Sequence, residues 1–466
     1  MKDQIAEIDN ILTLVDKNNQ TPSKTAINGG QVPQITEDDL ASQFSELHAD
    51  YLRYIAKWGK WLRWAAQVWI EDDTLAVYDA IRQRIRQSVD AVDQKTKTSV
   101  LRAQTVAAVE KLTRSDRRHA ATVDQWDANP WVINSPKGIV NLKTGITQKH
   151  DPKSYLTKLA GASLNGDCPL WLGFLDEVTQ GDDELVAFLQ RWIGYCLTGS
   201  TREHLFALFY GTGSNGKGVF LNTLTGILGD YATVAPMETF TESFGDRHPA
   251  DLAMLRGARF VVAQESESGR RWAEAKIKSL TGGDPVTARF MRQDFFTYTP
   301  QFKLNIATNH KPQLRNVDET MRRRILLIPF TVTIPPENRD PTLAEKLQLE
   351  WDGIFKWAVE GCLEYQKLGL QPPAAVLEAT EEYFQTQNSL LQWLEECCER
   401  GETYWETPTR LFNSWREWAK SNNEEPGNAK ALGDKLEVEG LYRKKRNGTR
   451  MHIGVKLNDS QGHQGH

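Results

Sequence analysis

Between Leu205 and Leu224 an apolar run, a glycine-rich turn and a second apolar segment follow one another without a gap. Leu205-Phe-Ala-Leu-Phe-Tyr210 is apolar at consecutive positions, as in a parallel strand buried on both faces. Gly211-Thr212-Gly213-Ser214-Asn215-Gly216-Lys217-Gly218 comes next, and Val219, Phe220, Leu221 and Leu224 then predict an apolar helix. Strand, glycine loop and helix in that order form the context a phosphate-binding loop requires. Glycines let the backbone curl so that its N–H groups point inward, the helix N-terminus adds partial positive charge, and Lys217 reaches the terminal phosphates. The position after the lysine, where a Ser or Thr hydroxyl commonly ligates Mg²⁺, is Gly218. A metal ion must then be held by water, by phosphate oxygens or by acids elsewhere.

Three further runs read as buried strands of the same α/β core. Arg259-Phe-Val-Val-Ala263 ends in Gln264-Glu-Ser-Glu267, and a carboxylate at a strand tip beside a phosphate loop suits both metal and attacking water. Glu265 is the first candidate and Glu267 the second; the alternative is a pair of ordinary exposed acids. Phe302-Lys-Leu-Asn-Ile-Ala-Thr308 ends in Asn309, whose neutral amide can orient water and touch the γ-phosphate, or can simply shape the turn before Pro312. Arg322, Arg323 and Arg324 precede Ile325-Leu-Leu-Ile-Pro-Phe330. They form either a solvated cluster or a charge that reaches a neighbouring subunit's nucleotide.

At 466 residues the chain is long enough for roughly three domains. No apolar run approaches the ~20 residues that cross a bilayer, and Asp3, Glu7 and Asp9 spoil a signal peptide, so a cytoplasmic location and no membrane contact are expected. The five cysteines suit neither a disulfide framework nor a Cys-x-x-Cys metal site. Net charge is -5, so any nucleic-acid surface must be local. Residues 1–38 include a polar stretch from Lys17 to Pro33 and read as a flexible arm. Thr36-Glu-Asp-Asp39 predicts a capping box ahead of Leu40, Phe44 and Leu47, and Thr74 is expected to cap a helix bearing Leu75, Tyr78, Ile81, Ile85 and Val89. The aromatics and cations between Tyr51 and Trp69 read as paired strands with a packed core, with base stacking as the alternative. Phe174 to Trp192 predict a helical lid before the next domain.

Val286-Thr-Ala-Arg-Phe-Met-Arg292, Gln293-Asp294 and Phe295-Phe-Thr-Tyr-Thr299 read as a hairpin. From about Asn388 the pattern reads as a winged helix, with Thr409 and Asn428 as helix caps and Asn447-Gly448 as a hairpin turn. Arg443, Lys444, Lys445, Arg446, Arg450 and Lys456 fall between Gly440 and Lys456 without an acid, which suits duplex phosphates or a merely solvated hairpin.

These motifs, taken in order, resemble the helicase part of the phage and plasmid primase-helicase family, a superfamily-3 branch of the AAA+ class. The residues that carry the resemblance are Gly211 to Lys217, Glu265 with Glu267, Lys278-Ser-Leu-Thr-Gly-Gly-Asp284 with Arg289, Asn309 with Pro312, and Arg323-Arg324 before Pro329-Phe330. Asn129-Pro130, Gly138-Ile-Val-Asn-Leu142 and Gly369-Leu-Gln-Pro-Pro373 extend it. The resemblance implies an arm (1–38), a mainly helical N-terminal domain (39–195), an AAA+ P-loop core (196–385) and a winged-helix domain with tail (386–466). It further implies a homohexameric ring that uses ATP and Mg²⁺ to translocate on single-stranded DNA and unwind forked DNA in replication of a mobile element. Lys217 would bind phosphate, Glu265 would serve metal and water, Asn309 would be the sensor, and Arg323 or Arg324 would act on the next subunit. Lys278, Arg289 and Arg292 would face DNA, with Arg289 alternatively serving the nucleotide. The family's larger members carry a primase ahead of the helicase; too little chain precedes the first helix here for one, so a separate primase is the expected partner. Gly218, and Gln264 where many motors carry Asp, depart from the pattern. Two rivals remain: a non-hydrolysing origin-binding or helicase-loading protein that senses nucleotide, and a small-molecule kinase.

Overall fold

The computed structural model describes residues 35–89, 93–242, 250–264, 271–291, 294–310, 312, 319–387, 389–422, 426–446 and 448–458. The polar stretch read as an arm lies outside them.

Helix α1 (Glu37–His48) starts at the expected capping box: the Asp39 amide donates to Thr36 Oγ1 over 3.1 Å and the Thr36 amide to Asp39 Oδ2 over 3.2 Å. Such a cap contributes about 1 kcal/mol. Strands β1 (Leu52–Ile55), β2 (Lys60–Trp64) and β3 (Trp69–Glu71) form an antiparallel sheet that buries Trp61, Trp64 and Trp69, so the packed reading of this aromatic stretch holds. Helix α2 (Ala76–Ser88) begins differently from expectation. Asp72 caps it, accepting from the amides of Ala76 and Val77 at 2.9 Å each, because the chain turns through left-handed Leu75. Leu75 is exposed, and Val77, Ala80, Ile81 and Ile85 make the buried face.

Helices α3 (Gln94–Val100) and α4 (Ala103–Ser115) complete this module. A second small sheet follows, β4 (Val132–Ser135), β5 (Gly138–Asn141) and β6 (Thr147–Gln148). Both three-stranded sheets lie among longer helices, so this part of the chain is mainly helical as expected, with short β-branched and aromatic runs between turns forming the hairpins.

Helices α5 (Pro169–Thr179) and α6 (Asp183–Leu197) are no detachable lid. Trp171, Phe174, Phe188 and Trp192 share one core with Phe209 and Phe220, so the hydrophobic core does not divide at residue 195.

The central sheet contains β7 (Phe206–Tyr210), β8 (Ala232–Val234), β9 (Phe260–Gln264), β12 (Lys303–Thr308) and β13 (Ile325–Pro329). It is parallel throughout, in the order β13-β7-β12-β9-β8. Alternate residues go to opposite faces. Ala207, Phe209, Val262 and Ile328 meet α5, α6, α7 (Lys217–Leu228) and α12 (Trp351–Leu368), while Leu208, Val261, Ile306 and Leu327 meet the other layer, including α9 (Glu274–Gly282) and α13 (Ala374–Gln387). Burial on both faces is why each run is apolar at nearly every position. Short helices α8 (Ala250–Ala253), α10 (Glu319–Arg322) and α11 (Leu343–Gln348) fill the connections.

Past the core, α14 (Ser389–Cys397), β14 (Cys398–Glu406), α15 (Pro408–Ser421), α16 (Ala429–Val438), β15 (Arg443–Arg446) and β16 (Thr449–Leu457) have their own apolar cluster and a sheet ordered β14-β16-β15. Thr407, rather than Thr409, caps α15, because Pro408 occupies the first helical position. Asn428 caps α16 as expected. Among the described residues no helix is long and apolar enough to cross a membrane.

Candidate functional site

β7 delivers the chain into the glycine loop at the C-terminal end of the sheet. The loop needs glycine for steric reasons at two positions. A Cβ at Gly211 would collide with the Phe330 carbonyl oxygen and the Asn215 amide, and one at Gly216 would lie 2.6 Å from Val178 and 2.9 Å from the Phe174 ring. Gly216 also has φ +82°. Asn215 donates to the Phe330 carbonyl over 2.8 Å, and the Ile334 amide to that of Ser214 over 2.9 Å, so the end of β13 braces the loop.

Lys217 is the first residue of α7 and is 5% exposed. Its Nζ donates to the Gly211 carbonyl (2.6 Å), Asn215 Oδ1 (3.1 Å) and Asn309 Oδ1 (3.2 Å). None of the three carries a negative charge. Burial pushes its pKa down to about 8. A desolvated ammonium inside a curled glycine loop at a helix N-terminus is arranged to favour an incoming anion. The structure thus brings together Gly211 to Lys217 and Asn309, which lies just past β12 beside β7. Thr212 and Gly213 complete the turn, with Gly213 at φ +105°. At Gly218 a Cβ would meet nothing within 4 Å, so the lost hydroxyl is not a matter of space.

β9 ends at Gln264, paired in register with Ala307. Glu265 and Glu267 lie outside the described residues. Among the described residues no group of three or more His, Cys, Asp or Glu could hold a metal ion.

The arginines sit at the opposite end of the sheet. Arg324 immediately precedes β13, and its carbonyl accepts the amide of Phe206, the first residue of β7. Five residues of strand separate this end from the loop, about 16 Å. Arg323 is exposed and 3.9 Å from Glu319; Arg324 donates to the Thr320 carbonyl over 3.0 Å, and its buried Nε has no hydrogen-bond partner among the described residues. Arg322 pairs with Glu381 and lies over Phe384.

The expected hairpin forms from β10 (Val286–Ala288) and β11 (Phe296–Tyr298). Arg289 lies 4.6 Å from the Phe295 ring, and Met291 and Phe295 are 71% and 60% exposed, so the tip presents apolar side chains beside a cation. Arg292 lies outside the described residues. Arg256 stacks between Trp58 of the N-terminal module (4.9 Å) and Phe296 (5.2 Å). Lys278 sits on α9, 3.8 Å from Glu274. In the C-terminal sheet Lys444, Lys445, Arg446 and Arg450 are exposed, with Arg446 over Trp405. Arg443 differs: it binds Asp434 (2.6 Å) and Glu437 (3.2 Å), so its charge is answered within the domain.

Sequence reasoning missed the side chains that brace the loop and a buried lysine at the other end of the sheet. Phe174 and Val178 press α5 against Gly216 and fix the loop from outside the strand-loop-helix unit, for which no local signal exists. Lys303, within an apolar run, is a second buried lysine; a cation at a core position was the available signal.

Two family descriptions match the chain: "D5 N terminal like" over residues 41–180 and "Family of unknown function (DUF5906)" over residues 209–324. A candidate helicase of Acanthamoeba polyphaga mimivirus, L207/L206, is 26% identical over 323 residues, 64% of this chain and 34% of that protein. A second, 022R of Frog virus 3, is 25% identical over 307 residues, 61% of this chain and 31% of its own length. The chain resembles D5-like helicases. It spans about a third of the length of these curated relatives. In fold it is similar to the apo NrS-1 C-terminal region, with a TM-score of 0.50, 10% identity, and coverage of 91% of this chain and 100% of that one.

Proposed function

We propose that the chain is an ATP-driven DNA helicase of the superfamily-3, AAA+ type, acting as a ring, a homohexamer, in replication of a phage, plasmid or other mobile element. The observation that carries this reading is the buried Lys217, held between a glycine loop and Asn309 by partners that, among the described residues, include no carboxylate. That arrangement fits a triphosphate: anionic oxygens would replace the neutral acceptors now around Nζ. ATP, when bound, supplies the phosphoanhydride whose cleavage does the work.

In this reading Lys217 holds the terminal phosphates and Asn309 positions water. Glu265, with Glu267 as the second candidate, provides the carboxylate for Mg²⁺ and for the attacking water. Arg323 and Arg324, about 16 Å along the sheet from their own loop, serve hydrolysis only through a neighbouring copy. Arg289 and Arg292 on the hairpin, with Lys278 nearby in sequence, contact single-stranded DNA. Lys444, Lys445, Arg446 and Arg450 on the wing of a winged-helix domain contact duplex phosphates, to which Arg443 contributes less than expected because Asp434 and Glu437 hold it. A separate primase supplies primers, and the work takes place in the cytoplasm.

Gly218 favours the second reading, a nucleotide-sensing origin-binding or loading protein that does not hydrolyse. Native mass of the full chain, with and without ATP and a forked DNA, tests assembly and substrate together. The proposal expects a ring that gains mass with both; a monomer under every condition contradicts it.

A further inference from the structure

The turn that joins β1 to β2 in the N-terminal module reaches the hairpin of the motor. The amides of Trp58 and Gly59 both donate to the Ile55 carbonyl, over 3.0 and 2.9 Å, and Gly59 takes φ +66°, so the turn is tight. Trp58 packs against the cluster that holds Trp64, Trp69 and Trp126. The Arg256 guanidinium lies 4.9 Å from the Trp58 ring and 5.2 Å from that of Phe296. Arg256 stands in the turn between α8 and β9, where Gly257 has φ +72° and a Cβ would lie 2.8 Å from Lys158 Cε. Phe296 and Tyr298 share one face of β11. That face rests on the same segment: Tyr298 Oη donates to the Leu252 carbonyl over 2.6 Å, and Phe296 stacks in turn on Phe290 at 5.7 Å.

The three-stranded sheet behind Trp58 is itself tied to the central sheet. Trp69 donates its amide to the Leu156 carbonyl over 2.9 Å and its indole N–H to that of Pro152 over 2.8 Å. The chain then runs on to Leu159, whose amide donates to Asp230 Oδ2 over 3.0 Å just ahead of β8. A continuous path of bonded and packed groups thus leads from the edge of the central sheet, through β1–β3, to Trp58, Arg256 and the base of the hairpin. We propose that Trp58 and Arg256 are positioning residues for the β10–β11 hairpin: through their stack the N-terminal module sets the hairpin's angle, and with it how tightly single-stranded DNA engages. This rests on the reading of the hairpin given above, in which neither residue touches nucleotide or DNA. The stack joins the two matched stretches, with Trp58 inside residues 41–180 and Arg256 and Phe296 inside 209–324. Arg256 is partly desolvated there, which holds its pKa below the ordinary value and strengthens its attraction to the rings.

Hydrogen exchange of the full chain without DNA reads the positioning directly. Trp58→Leu and Arg256→Met keep apolar bulk and remove the ring face or the charge. In each, the amides of β10 and β11 should exchange about tenfold faster, the size a desolvated cation–π pair carries, with β7 and β12 unchanged. Trp58→Phe and Arg256→Lys should keep most of the protection. Hairpin exchange as slow as in the unaltered chain in both Trp58→Leu and Arg256→Met overturns the proposal. Steady-state ATP turnover reads the consequence: the oligo-dT concentration for half-maximal stimulation should rise about fivefold or more in either variant, with DNA-free turnover unchanged, and the double variant should be no worse than a single one. Additive losses, or equal falls in DNA-free and DNA-stimulated turnover, overturn it. If the variants fail to fold, oligo-dT added to the unaltered chain should slow exchange at residues 55–59 together with the hairpin; slowing confined to the hairpin overturns the proposal. The underlying reading fails separately, if oligo-dT neither binds nor stimulates the unaltered chain, while the DNA-free exchange still decides the positioning.

Discussion

Two lysines are buried at opposite ends of the same parallel sheet, Lys217 where α7 leaves the glycine loop and Lys303 where β12 begins, and they differ in what surrounds them. Lys217 sits at the C-terminal end among a carbonyl and two side-chain amides, in a loop beside an open cavity. Lys303 sits at the N-terminal end of β12, where Nζ donates to the carbonyls of Thr198, Ser200 (3.3 Å) and Gln301 (3.2 Å) and lies over the Tyr195 ring at 4.8 Å. Burial depresses both, Lys217 to about 8 and Lys303 to about 7. Equal burial thus serves two ends. Lys303 ties the segment after α6 to the segment entering β12, whereas Lys217 is a cation kept out of water where an anion can enter.

Lys217→Ala should show the largest contrast. ATP binding and turnover should fall by about a hundredfold or more, since charge-assisted hydrogen bonds to phosphate are lost. The melting temperature should hold or rise, because a desolvated charge disappears. Calorimetry and turnover on one preparation check both.

Lys303→Ala should behave in the opposite way. It opens a cavity and leaves buried carbonyls without their donor, so unfolding free energy should drop by about 2–4 kcal/mol in urea titration. ATP affinity of the folded fraction should stay within about twofold, as expected of distant sites. A large affinity loss at constant stability would erase the distinction between the two lysines.

pH sharpens it further. Both folded-state pKa values lie below the ordinary 10.5, so between the depressed value and 10.5 the unfolded chain binds more protons. Stability from these groups accordingly rises as pH climbs from about 7, and Lys303→Met should flatten that rise relative to the unaltered chain in melts across the alkaline range. For Lys217 a bound triphosphate favours the charged form. ATP affinity should be full below about pH 8, decline above it, and binding there should be accompanied by proton uptake, visible as buffer-dependent heat.

The smallest effect is expected at Gly218. Gly218→Ser has room for its side chain and should add about 0.5 kcal/mol to helix stability. Its hydroxyl should also lower the Mg²⁺ concentration needed for half-maximal turnover, read by metal titration.

The parallel strands, the glycine loop and the hairpin before β12 were legible because each rests on local pattern: apolar runs between turns, glycines at sterically closed positions, alternation at strand period. The position of Asn309 followed from strand ends alone. What local pattern does not carry is contact across the chain. Asp72 displaced Thr74 as a cap because left-handed Leu75 stands between Thr74 and the helix, and Arg443 is neutralised by acids of the preceding helix that only tertiary packing brings near. The helices expected as a lid join the core because Trp171 and Trp192 meet strands and helices 40 or more residues later; Trp192, for example, donates to Asn305 over 2.8 Å.

Steady-state ATP turnover by the full chain, with and without single-stranded DNA, tests the central claim most directly when run beside Lys217→Ala and beside an equimolar mixture of Lys217→Ala with the double variant Arg323→Ala, Arg324→Ala. The account predicts DNA-stimulated turnover in the unaltered chain, none in either variant alone, and partial recovery in the mixture, where one interface regains both an intact loop and intact arginines. Turnover that persists without Lys217, or its absence from the unaltered chain at every Mg²⁺ concentration, would contradict it.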